Sequence, residues 1–167
     1  MRTPLRTILA ASVAVTLTAA AFAAPVAAGS DKKGTTTIAP SGTTLSVFQK
    51  VLKPGKFNAA ETTVSFRIVG NPSKGPIKHV GGLQVDGSAG ILEDEDLKLR
   101  NFRIKVPQGL VYGKVEGFGK APLFSFDPTD ADDLEVTLLF TETASAAIVG
   151  DDSIAGLEAG VATIDLK

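Results

Sequence analysis

The chain has 167 residues, with 17 basic and 18 acidic side chains, one histidine, one tyrosine and no cysteine or tryptophan. The missing thiols exclude disulfides, thiolate metal sites, a cysteine nucleophile and a lipid-modified N-terminal cysteine. The charges are nearly balanced and form no basic run, so there is no electrostatic drive toward a phosphate backbone and nucleic acid is not an expected partner.

The N-terminus is ordered like an export signal. Arg2 and Arg6 precede an uncharged, mostly apolar run over residues 8–22, and small residues follow as Ala21-Phe22-Ala23 and Val26-Ala27-Ala28. A positive flank, a short apolar run and a small-residue exit are the parts signal peptidase reads. The run falls short of the roughly 20 apolar residues a spanning helix needs. Residues 1–28 are therefore expected to be a cleaved signal peptide, cut between Ala23 and Ala28. Cleavage removes two arginines and no acid, leaving a formal charge of −3. The expected location is secreted, extracellular or at the cell surface, with no membrane span in the mature protein and no disulfide-linked partner.

Residues 29–36 are polar and small and read as a flexible leader, with 37–167 as a single domain. Residues 36–39 open a first strand that Pro40 stops. Leu45, Phe48, Val51 and Leu52 lie at helical spacing, which predicts a short helix or turn closed by Pro54-Gly55. From residue 62 the period becomes two. Val64, Phe66 and Ile68 alternate with Thr63, Ser65 and Arg67, a half-buried strand. Residues 70–76 are a loop by composition. Residues 77–85 read as a strand broken by Gly81-Gly82, a pair that implies a bulge or a close approach to the backbone. Residues 86–88 are a turn, 89–92 a short strand, and 93–96 a solvated charge run.

Leu97 and Leu99 then share one parity, and Phe102, Ile104 and Val106 the other. Such a slip predicts a β-bulge near Arg100-Asn101. Pro107-Gln108-Gly109 turns the chain. Residues 110–116 and 121–126 are strands, 127–133 an acidic loop and 134–140 a strand. Thr141 caps a predicted helix over 142–148, with an acid in its first turn. Gly150 ends it, and 161–166 form the last strand. Short strands with frequent turns and hairpin-length connections predict an all-β, mainly antiparallel sandwich or barrel-like domain with one or two short helices.

Chemistry-bearing residues are few. His79 stands beside Gly81 and Gly82, where bare backbone admits a ligand closely; a strand histidine with a structural hydrogen bond is the plainer reading. Tyr112 is able to ligate ferric iron or to serve as a core or rim aromatic. Asp127, Asp130, Asp132 and Asp133 lack the alternating ligands and glycine of a calcium loop. No nucleophile elbow, zinc-helix or phosphate-loop pattern is present, and no catalytic or metal-binding residue is assigned.

The stretch from Val64-Ser65-Phe66-Arg67-Ile68 through Gly75-Pro76-Ile77-Lys78-His79-Val80-Gly81-Gly82-Leu83 and Pro122-Leu123-Phe124-Ser125-Phe126 resembles small secreted actinobacterial proteins related to the HtaA, or haem-transport-associated, domain. Leu138-Leu139-Phe140-Thr141-Glu142-Thr143-Ala144 and Gly160-Val161-Ala162-Thr163-Ile164 resemble that group's closing strand, helix and strand. The resemblance covers residues 60–167. It implies a β-rich surface domain and, in the best-known members, haem held by a tyrosine with a supporting histidine. His79 matches that histidine. The family's N-terminal tyrosine has no counterpart among residues 45–50, and Tyr112 lies on a later strand. The expectation is an exported, non-enzymatic binding module for haem or another small hydrophobic ligand, with His79, Gly81, Gly82 and Tyr112 near the site. A structural or interaction domain bound to an envelope component, with no small-molecule site, is the alternative; a hydrolase ranks below both.

Overall fold

The computed structural model describes residues 34–71, 75–129 and 135–166. The chain divides into Met1–Ser30 and Asp31–Lys167; the expected signal peptide lies outside the described residues. Among its described residues the second unit has eleven strands: β1 (Gly34–Pro40), β2 (Phe48–Leu52), β3 (Lys56–Asn58), β4 (Thr63–Val69), β5 (Ile77–Val80), β6 (Gly82–Gly87), β7 (Asp94–Lys105), β8 (Leu110–Val115), β9 (Gly119–Ser125), β10 (Glu135–Phe140) and β11 (Glu158–Leu166). Among the described residues there are also two short α-helices, α1 (Gly42–Val47) and α2 (Glu142–Val149).

Every strand pairing is antiparallel. The order β7-β5-β4-β1-β11-β10-β9-β8 returns to β7 through a β7–β8 pairing, which closes an eight-stranded barrel. Of the two architectures the sequence allows, the chain adopts the barrel. Its wall is not uniform. Toward one end β5 alone bridges β4 and β7. Toward the other, β3 pairs with β4, β6 pairs with β7, and β2 lies on β6. The barrel therefore widens at that end, where α1 packs on β1, β11 and β6, and α2 on β9 and β6.

Period-two burial fills the interior. Val64, Phe66 and Ile68 point inward from β4, Leu97 and Leu99 from β7, and Leu138 and Phe140 from β10. Arg67, Lys78, Arg103 and Lys114 occupy exposed positions outside. The parity slip in β7 is a bulge: its register with β8 shifts between Arg100 and Arg103, and Asn101 has φ of 55°. The bulge keeps both Leu99 and Phe102 in the core.

Several elements differ from the sequence reading. β1 begins at Gly34, inside the expected leader, because β4 and β11 flank it on both sides. The expected helix or turn over 45–52 is α1 followed by β2. A register shift between Phe48 and Lys50 lets Phe48 and Val51, three apart, both pack on the core, which imitates helical spacing. Residues 89–92 are turn rather than strand: Gly90 bonds back to Gly87, and the Ile91 amide donates to Ala146 of α2. Thr141 caps α2 as expected, its hydroxyl accepting from the Ala144 amide, and Gly150 ends it in the left-handed conformation.

Candidate functional site

His79 points into the barrel and is 5 % exposed. Its Nδ1 lies 3.3 Å from the Phe102 carbonyl and its Nε2 2.7 Å from Thr36 Oγ1. A carbonyl only accepts, so Nδ1 carries the proton and donates, and Nε2 accepts from the Thr36 hydroxyl. Burial pushes the imidazole down to about 4, partly opposed by the Phe102 bond. The ring is neutral near pH 7, with both nitrogens engaged. Among the described residues no buried side-chain nitrogen or oxygen lacks a hydrogen-bond partner.

An apolar cavity of about 40 Å³ lies beside this ring, bounded by Phe66, Phe102, Phe124, Leu138 and Thr36. A cavity of about 150 Å³ is what one benzene molecule needs, so this space is far too small for a tetrapyrrole. The residues do not fit a haem as they stand. His79 offers no free nitrogen, and Tyr112 is on the other side of the wall.

The glycine pair meets the chain itself. At Gly81, where φ is 104°, a Cβ would press on the Gly55 amide and the Leu52 carbonyl. At Gly82 it would strike the Leu99 carbonyl of the neighbouring strand. The close approach read from Gly81-Gly82 is made by the turn between β2 and β3 and by β7. His79, Gly81 and Gly82 thus share the β5–β6 junction, and Tyr112 does not join them.

Tyr112 lies on the outer face of β8, directly across from Arg103 of β7. Lys105 and Lys120 place their ammonium groups 4.8 and 5.0 Å from its ring centroid, within cation–π range. A surface pocket of about 170 Å³ opens here, lined by Asn101, Arg103, Tyr112, Gly113, Lys114 and Lys120. The ladder sets like charges against one another around it. Arg100 faces Lys114, Lys114 faces Lys120, and Lys78 faces Arg103. Among the described residues the only ion pair is Lys98 with Glu116, at 3.0 Å. Of the acids in the 127–133 loop, exposed Asp127 accepts from the Thr129 amide and hydroxyl, and residues 130–134 lie outside the described residues.

The sequence reading missed this basic face. Its cations come from β5, β7, β8 and β9 and are separated along the sequence, so no run marks them. The signal available was alternation: Arg100, Lys114 and Lys120 stand at outward parity in strands that hairpins place side by side. No family model matches the chain, nor does a curated protein or a solved structure.

Proposed function

We propose that this chain is an exported, non-enzymatic binding module that takes its ligand on the outer wall of β7, β8 and β9, around Tyr112. One observation carries the reading: among the described residues the interior leaves an apolar space of about 40 Å³ and its buried polar side chains are paired, whereas the outer wall gathers cations without carboxylate partners. The wall's polarity agrees, since a lipid-spanning barrel carries an apolar band outside and this one carries charge there. The export signal and the HtaA-like strand pattern support a place at the cell surface. The small interior cavity leaves haem without a seat.

The chain supplies its own probe. Tyr112 is its only tyrosine and there is no tryptophan, so tyrosine emission reports on this face alone. Titration with candidate anions is expected to change that emission, and haemin to give no Soret shift that depends on His79. A ligand that binds stoichiometrically without altering Tyr112 emission, and is lost in His79→Ala, would move the site indoors and end the outer-wall reading. Export is tested separately by mass measurement of the protein in culture medium, with a new N-terminus expected within residues 24–29.

An envelope interaction domain has one observation of its own. Phe57 of β3, 45 % exposed, sets its ring 5.5 Å from that of Phe48 on β2. Such a surface suits a protein partner and is compatible with a ligand on β7–β9.

A further inference from the structure

We propose that the basic wall binds a linear phosphodiester polymer without nucleobases, of the poly(glycerol phosphate) kind. This rests on the outer-wall reading and names its ligand class. The first support is an unfavourable arrangement. Like charges directly opposite on neighbouring strands destabilise a sheet, yet three such pairs meet here: Arg100 with Lys114, Lys114 with Lys120, and Lys78 with Arg103. Tyr112 holds the Lys120 ammonium and draws one further cation, Lys105, to the same place. A polyanion is the partner that turns this repulsion into attraction.

Spacing selects a polymer over a single anion. Neighbouring strands lie about 4.8 Å apart, and alternate residues along a strand about 6.8 Å apart. The cations are therefore spread over a four-strand patch and do not converge on one point. A lone phosphate meets one or two of them; a chain of phosphates follows the rows. Arg100 and Arg103 add the forked donors that suit phosphate oxygens.

Two other polyanions fit less well. Nucleic acid single strands need aromatic faces on which bases stack. Tyr112 is the only aromatic in the pocket, and lysines already lie against its ring. An anionic bilayer would have to meet the acids at residues 93–96, where β7 begins. The exposed large apolar side chains, Ile91 and Phe118 among them, lie outside the pocket.

The test uses the full chain and reads Tyr112 emission and the salt dependence of affinity. The probes are poly(glycerol phosphate), glycerol 3-phosphate at equal phosphate concentration, oligo(dT), and phosphatidylglycerol–phosphatidylcholine vesicles. The polymer should bind more tightly than the other three. With about five cations engaged, log K should fall against log salt with a slope of about −3.5. Lys114→Gln and Lys120→Gln should each weaken binding severalfold and flatten the slope by about 0.7. The inference is overturned if the polymer binds no better than glycerol 3-phosphate, if oligo(dT) or vesicles bind as tightly, or if the double substitution has no effect. A different ligand that alters Tyr112 emission where the polymer does not would overturn the phosphodiester assignment and leave the outer-wall reading standing.

Discussion

Burial holds the His79 imidazole near 4, against 6.5 for the ring in water, and its bond to the Phe102 carbonyl offsets only part of this. Between those two values the unfolded chain binds a proton that the barrel does not. The contribution to stability is therefore full above about 6.5 and is lost as pH falls toward 4. A gap of that size corresponds to about 3 kcal/mol. The carboxyls held below their ordinary range, Asp86, Asp127 and Asp151, owe this to hydrogen bonds from Ser88, Thr129 and Ser153. Being lowered, they move away from the His79 window. The urea midpoint is expected to drop between pH 7 and pH 4. In His79→Leu it should start lower, because the Phe102 carbonyl and Thr36 hydroxyl lose their partner, and should stay level across that window. A level midpoint in the native chain, or an equal slope in the variant, would refute this account.

Across the strands β7, β8 and β9, the row Arg100–Lys114–Lys120 predicts an inverse relation between stability and binding. Lys114 is exposed and faces a cation on each side. Lys114→Gln should raise unfolding stability in the absence of ligand by a few tenths of a kcal/mol. The gain should shrink at high salt, where exposed charges are screened. A melting temperature that falls instead would show that the lysine stem packs usefully on the wall and that its charge is tolerated. Local patterns made much of this level readable. The parity slip located the β7 bulge, Thr141 announced the α2 cap, and Gly81-Gly82 announced a close backbone approach. Other patterns misled for physical reasons. The β2 bulge gave Phe48 and Val51 a helical spacing, and β3, with all three residues exposed, carries no hydrophobic alternation to detect.

At the scale of the whole chain, sandwich and barrel differ only in whether the last pair closes, and no local pattern encodes that. The β7–β8 and β1–β11 pairings decide it, and the second joins residues at opposite ends of the domain. The basic face was hidden for a different reason: its members are scattered along the sequence and become neighbours through the β7–β8 and β8–β9 hairpins and the β5–β7 pairing. Closure also makes the N-terminal strand indispensable. β1 has seven register partners on β11 and five on β4, and its Thr36 hydroxyl donates to His79 Nε2. At a net contribution near 1 kcal/mol for each hydrogen bond, losing both ladders is comparable with the roughly 5–15 kcal/mol that stabilises a typical domain. A chain started at residue 29 should therefore unfold in one cooperative urea transition. A chain started at residue 41 should show none, since a seven-stranded remnant leaves β4 and β11 as open edges. Adding a peptide of residues 29–40 should restore the transition by pairing into that gap, as strand complementation does. If the chain started at residue 41 unfolds cooperatively at the same midpoint without the peptide, ring closure is not what holds the barrel together.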